Sequence, residues 1–171
     1  MKLSCLIVLS MLVVSGCRRT PPVVAPPVKN GTDIKENMIN ANRTIALAEE
    51  TALDEYIGRR QWNATRLENG VRVWEYGKGT GKMVNADDSV IVNYEIEAIN
   101  GKKIYTGLSD TFVVGRRQYM KGLDDAVLCL RQGSKAKVLL PSSTAYGIGG
   151  DGDRITQSMI LVLDVEVRDV N

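Results

Sequence analysis

From Val71 onward the apolar residues fall at every second position, which places them on one face of an extended strand and does not suit a helix. The segment VRVWEY alternates in this way. SVIVNYEIEA puts Val90, Val92, Tyr94 and Ile96 on one side, with Glu95 and Glu97 on the other. KAKVLL and MILVLDVEV repeat the pattern, and the last of them gathers Leu161, Leu163, Val165 and Val167. One interval breaks the period of two. Leu123, Ala126, Val127 and Leu130 stand at i, i+3, i+4 and i+7, closed by Gly133, which is a short helix with an apolar stripe. Antiparallel strands with a single interposed helix predict an α+β domain, its sheet covered on one face by that helix.

Ahead of Val71 the spacing is helical. Ile34, Met38, Ala41, Ile45, Ala48 and Ala52 recur at steps of four and three, with Lys35, Glu36, Glu49 and Glu50 elsewhere, which predicts an amphipathic helix ending near Gly58. Its stripe could pack on the following domain or pair two chains as a homodimer. The small apolar residues favour intramolecular docking or a weak dimer over a strong coiled coil. Further upstream, RRTPPVVAPPVKNGT holds four of the five prolines and reads as a semi-rigid spacer of about 3.1 Å per residue. The leading MKLSCLIVLSMLVVSGC has Lys2, an apolar run from Leu6 to Val14 and small residues at Ser15-Gly16. It is shorter than the roughly 20 apolar residues of a membrane span and reads as a secretory signal. Its VSGC ending resembles the lipobox of bacterial lipoproteins, which implies cleavage before Cys17, lipidation of that thiol and a membrane anchor. The expected organisation is a signal peptide over 1–16, a lipidated spacer over 17–33, the amphipathic helix over 34–66 and the α+β domain over 67–171.

Several chemistries are excluded by composition. The chain has no histidine, so Ser-His triads, Cys-His dyads and histidine metal sites are ruled out. A formal net charge of +2 gives no electrostatic case for nucleic acid. With Cys5 in the signal and Cys17 lipidated, Cys129 alone remains, and its setting in AVLCL predicts a small buried apolar residue. YGKGTGK fails as a phosphate loop, because Tyr76 and Met83 stand where the pattern needs glycine and a hydroxyl residue. AYGIGGDGDR fails as a calcium loop for want of a third acidic or amide ligand and a terminal glutamate. No zinc spacing is present, and neither a metal nor a cofactor is expected. Asp87-Asp88 and Asp124-Asp125 are adjacent pairs whose side chains diverge, and they read as solvated charges rather than an acid/base couple.

One constellation remains. PSSTAYG at 141–147 is preceded by KGLDDAVLCLRQGSKAKVLL and followed by ITQSMILVLDVEV. This order resembles the FKBP family of peptidyl-prolyl cis–trans isomerases over Val71–Val167. With the leading helix, spacer and lipobox, the chain resembles lipid-anchored members of the bacterial envelope, including those associated with gliding motility. The resemblance implies a half-wrapped antiparallel sheet on one short helix, with the glycine-rich stretch after Ala145-Tyr146-Gly147 overhanging a proline pocket. It implies that Tyr146 offers its hydroxyl and Met120 its backbone N–H to a substrate carbonyl. Leu123 then forms the pocket floor, Ile155 and Leu163 its walls, and Tyr94, Tyr105 and Tyr119 complete the substrate-binding set.

The family commonly has tryptophan where Leu123 stands and phenylalanine where Leu163 stands. Its Phe-Asp pair falls on Ile104-Tyr105, or on Tyr105-Thr106 with the register moved by one. On either alignment the acid is missing, so the tyrosine–aspartate contact is not expected to form through Tyr94. The expected function is isomerisation of X–Pro bonds in polypeptide clients of the cell envelope, on the periplasmic or surface side of a membrane. The alternative is an FKBP-fold binding or chaperone lipoprotein with little or no catalysis.

Overall fold

The computed structural model describes residues 31–171; the signal segment, Cys17 and nearly all of the proline-rich spacer lie outside it. The strands are β1 (Thr65–Arg66), β2 (Arg72–Gly77), β3 (Ser89–Ala98), β4 (Lys103–Val113), β5 (Lys135–Leu140) and β6 (Leu161–Val170). They form one antiparallel sheet in the order β1-β2-β5-β6-β3-β4. Alternation sets the rows of the core face. Val73, Val138, Leu163 and Ile96 lie side by side across four strands, and Ala136, Val165 and Tyr94 form the adjoining row. All seven are buried. The short helix α2 (Lys121–Val127) covers this face through Leu123, Ala126 and Val127. A fully buried leucine or valine contributes about 1.5–3 kcal/mol, so this layer dominates the stability of the fold.

Gly122 lets α2 sit close to the sheet. A Cβ there would lie 2.5 Å from the Leu140 Cδ2 and 3.0 Å from the Thr144 Oγ1, too near for any other residue without displacement. The helix ends at Val127 and the chain tightens, with Cys129 N–H donating to the Ala126 carbonyl and Leu130 N–H to that of Val127. Leu130 turns inward, whereas Leu128 and Cys129 turn outward. Cys129 is therefore exposed, not the buried residue expected from its apolar neighbours.

The leading helix α1 runs over Gly31–Arg60. Its predicted stripe is not the face it buries. Ile34, Met38, Ala41, Ile45 and Ala48 are all exposed, Met38 at 61%. Docking begins at Glu49 and continues through Leu53, Tyr56 and Ile57, which pack with Leu139 and Val162 on the outer face of the sheet. Trp62 extends this patch, stacking on Trp74 at 4.5 Å and meeting the Tyr56 ring edge-on at 5.7 Å. The buried Arg72 guanidinium joins Asp54 on α1, at 2.8 Å, to the Gly70 carbonyl. Among the described residues no helix is long and apolar enough to cross a membrane.

Candidate active site

A cleft of about 290 Å³ opens between α2 and the loop after β5, lined by Gln118, Tyr119, Met120, Ala145 and Tyr146. Its two walls come from loops. The first, Gly115–Met120, leads into α2 and is held by Asp124, whose carboxylate accepts the N–H groups of Gly115 (2.8 Å) and Arg117 (3.0 Å). Asp124 is only 2% exposed, so the reading of Asp124-Asp125 as solvated charges is corrected: both oxygens fasten a loop. Asp125 in turn accepts from the Asn69 side chain at 2.6 Å. Met120 ends this wall. Its carbonyl accepts from Leu123 and Asp124, and among the described residues its own N–H has no acceptor.

The second wall is the Ser142–Thr144 turn and the glycine-rich loop beyond it. Gly150 has φ of +64°, and a Cβ on it would lie 2.2 Å from the Ile155 carbonyl oxygen, so glycine alone fits there. Asp151 organises the loop. One of its oxygens accepts the N–H groups of Asp153 (2.9 Å) and Ile155 (2.8 Å), and the other accepts the Tyr105 hydroxyl (2.6 Å). The Arg154 guanidinium lies over the Tyr105 ring at 5.2 Å and donates to the Ile104 carbonyl. The acidic residues of this loop thus tie it to β4. No cluster of potential metal ligands occurs among the described residues.

Tyr94, on β3, lies near Tyr119 and Tyr146 without lining the cleft, and its hydroxyl donates to Asp110. This corrects the expectation that the acid is missing. The family pattern puts it at Tyr105 or Thr106, but the β3–β4 pairing is bulged. Ile96 stands opposite Tyr105 and Tyr94 opposite Leu108, so β4 spends three residues where β3 spends two. The extra residue reverses which side chains face inward. Leu108, Asp110 and Phe112 then lie on the core face with Val90, Val92 and Tyr94, and Asp110, opposite Val92, reaches Tyr94 diagonally.

The five tyrosines of the sheet domain divide into two kinds. Tyr76, Tyr94 and Tyr105 each give their hydroxyl to a carboxylate. Tyr119 and Tyr146, on opposite walls of the cleft, have no hydroxyl partner among the described residues. Burial, with the nearby charges of Asp151 and Asp110, raises the Tyr146 phenol above its ordinary value. Burial and the Asp110 hydrogen bond raise that of Tyr94 further. The hydrogen bond to Asp151, then desolvation, pushes Tyr105 up to about 12. All three phenols stay protonated at neutral pH, and Tyr146 is a donor without an internal acceptor.

The other sequence-derived site residues lie behind the cleft. Leu123 and Leu163 are completely buried, and Ile155 nearly so; they support the cleft from the core. Tyr105 packs against the same core at the root of the loop. Besides Asp110, three residues carry no signal in the sequence, beginning with Gln118, which lines the cleft. Phe112 meets the Tyr119 ring at 5.5 Å, and Ile148, at the loop tip, is 80% exposed. Phe112 lies in the bulged strand and Ile148 among glycines, so neither belongs to a periodic pattern. A larger hollow of about 430 Å³ lies on the outer face of the sheet. Its lining mixes Tyr94, Leu108 and Val165 with Glu95, Lys135, Asp164 and Glu166, so charged groups border whatever apolar surface it offers.

An antiparallel sheet curled over one short helix, with a tyrosine-flanked cleft at the end of that helix, defines the FKBP fold. Residues 80–168 match the family model of the FKBP-type peptidyl-prolyl cis-trans isomerases, and the chain belongs to that family. It is 34% identical over 88 residues to FK506-binding protein 2 of Dictyostelium discoideum, covering 49% of this chain and 66% of that protein. It is 31% identical over 110 residues to FK506-binding protein 1 of Candida glabrata, covering 61% of this chain and 96% of that one. The crystal structure of a peptidyl-prolyl cis-trans isomerase from Pseudomonas syringae pv. tomato is similar with a TM-score of 0.64 at 25% identity, over 75% of this chain and 95% of that one. Longer relatives extend well beyond the match, which spans only 28% of FK506-binding protein 4 of Rhizopus delemar.

Proposed function

We propose that the protein is a peptidyl-prolyl isomerase of the bacterial cell envelope, acting on proline-containing polypeptides at the Tyr119–Tyr146 cleft. The observation that carries this reading is that two residues with an unpaired donor, Tyr146 through its hydroxyl and Met120 through its N–H, line the same small cleft. An X–Pro bond rotates over a barrier of about 18–20 kcal/mol. At the top of that barrier the amide has lost its resonance and much of its charge separation, so a poorly solvated cleft favours the twisted form over the planar one. Tyr146 and Met120 hold the substrate carbonyls while the proline ring sits against Tyr119 and Met120. Tyr94 keeps its hydroxyl on Asp110, which places a carboxylate beside the cleft in spite of the altered alignment. No nucleophile, metal or cofactor takes part in this scheme.

The VSGC ending supports lipidation at Cys17 and a membrane anchor facing the periplasm or cell surface. The uncovered stripe Ile34, Met38 and Ile45 supports weak pairing of two copies through α1. A second reading, client binding without turnover, draws on the exposed Tyr119 and Ile148 at the rim. Refolding of a reporter protein limited by a proline isomerisation separates the two. The protein is expected to accelerate it, and Tyr146→Phe to lower the acceleration about tenfold, as for loss of one well-placed hydrogen bond. Unchanged acceleration by Tyr146→Phe would remove its assigned role. Absence of acceleration by the folded wild type would leave only the binding reading.

A further inference from the structure

Tyr146 is carried by a turn whose hydrogen bonds lead back to the N-terminal helix. The Ser142 carbonyl accepts the N–H groups of Ala145 (3.1 Å) and Gly147 (2.8 Å), the two residues that flank Tyr146. The other two polar groups of Ser142 go to Glu49 on α1. Its N–H donates to Oε2 at 3.0 Å and its hydroxyl to Oε1 at 2.5 Å. Glu49 is 8% exposed and lies 93 residues earlier in the chain. On the opposite side the turn abuts α2, where Thr144 packs against Gly122. The turn is therefore gripped between α2, which starts at the Met120 wall, and α1, which precedes the catalytic domain.

We propose that Glu49 is a positioning residue for the cleft, fixing through Ser142 the turn that aims Tyr146. The inference rests on the reading of Tyr146 given above. Docking of the helix and holding of the turn are separable, because α1 has independent anchors. Leu53 and Tyr56 pack on Leu139 and Val162, Asp54 pairs with Arg72 at 2.8 Å, and Glu50 pairs with Arg66 at 2.5 Å. None of these touches Ser142. Loss of the Glu49 carboxylate leaves the helix docked and the turn unrestrained, whereas loss of Asp54 loosens the helix and leaves the turn held. A carboxylate that bonds both donors of one residue also fixes its orientation, which a purely apolar contact does not.

The test compares isomerisation rates of the full chain and its variants well below their melting temperatures. Glu49→Ala is expected to lower kcat/KM about fivefold to tenfold, the loss of a pair of hydrogen bonds to a charged acceptor felt through Tyr146. Glu49→Gln, whose amide oxygen can still accept the Ser142 N–H, recovers most of that rate. Asp54→Ala stays within about twofold of the wild type even where its melting temperature falls further, since it touches no part of the turn. In a Tyr146→Phe background the Glu49→Ala loss shrinks, because both act on the same hydroxyl. Wild-type turnover by Glu49→Ala beside a slowed Tyr146→Phe would overturn the inference and leave Tyr146 in place. Equal losses from Glu49→Ala and Asp54→Ala would reduce Glu49 to a docking contact and overturn it as well. If Tyr146→Phe is silent while Glu49→Ala is slow, the grip on the turn stands and the hydroxyl does not. Should Glu49→Ala fail to fold, Ser142→Ala reads the same link from the other side, and full activity there would contradict it.

Discussion

The two walls of the cleft are built by one device set in different surroundings. Each is a loop gathered by an aspartate that accepts two backbone N–H groups: Asp124 for Gly115–Met120, Asp151 for the glycine-rich loop. Asp124 is buried, beneath a loop that ends at the Met120 N–H. Asp151 is half-buried, and its third partner is the Tyr105 hydroxyl on another strand. A fully buried carboxylate gives up its bonds only at the full cost of desolvation, whereas one with an edge open to water can exchange partners for water at less cost. One wall is therefore expected to act as a fixed jaw and the other as a more movable one. Tyr146 belongs to the second wall, next to its glycine-rich loop but seated on the turn that bonds Glu49.

Substitutions can break that contrast. Asp124→Ala leaves the Gly115 and Arg117 N–H groups without their acceptor, and a loss of about 2–4 kcal/mol is expected from the urea midpoint. A loss below about 1 kcal/mol would mean the fixed jaw does not depend on it. Asp110→Asn keeps an acceptor for the Tyr94 hydroxyl and removes the charge. We expect a threefold to fivefold lower kcat/KM with the melting temperature nearly unchanged, on the order of one charge-assisted hydrogen bond weakened. Tyr105→Phe frees Asp151 from β4. It should speed amide exchange at Asp153 and Ile155 severalfold while changing turnover about twofold or less. Faster exchange spread through α2 as well would show that the walls are not independent.

The smallest effect expected is that of pH. The raised Tyr146 phenol contributes fully below its ordinary value of 10.0, and that contribution is lost only as pH rises through the higher folded value. The Tyr105 hydrogen bond first of all lowers the Asp151 carboxyl below 3.8, so its hold on the loop is present above that pH and lost as pH falls through the lowered value. Between pH 6 and 9 turnover should be flat. A change of more than about twofold over that window would place an unrecognised titrating group in the cleft.

The same contrast runs through what the sequence made legible. Strand β3 alternates strictly, β5 and β6 do so except where α1 covers Leu139 and Val162 on the outer face, and the side chains predicted to face inward are buried. In β4 the alternation fails, because two register shifts against β3 reset its phase. For that reason KIYTGLSDTFV did not read as a strand, and Asp110 could not be found by counting from the family pattern. The helix α1 shows a second limit. Its predicted stripe from Ile34 to Ala48 stays exposed, and what docks is the segment that follows, whose Glu49 bonds a residue far along the chain. Polar links of that range leave no local signal. Asp124 is the same case: an adjacent acidic pair looks solvated until the fold wraps a loop around one member. The cleft residues Tyr119, Met120 and Tyr146 were reachable through motif order, whereas the supports that aim them were not.

The central claim is that this cleft turns X–Pro bonds over rather than merely holding them. Exchange spectroscopy of a short proline peptide by NMR, with protein present far below the peptide concentration, addresses it most directly. We expect cis–trans exchange peaks that unaided rotation is too slow to give, and their loss in large part with Tyr146→Phe. Peptide lines that broaden on binding, with no exchange peak at any protein concentration, would contradict the account.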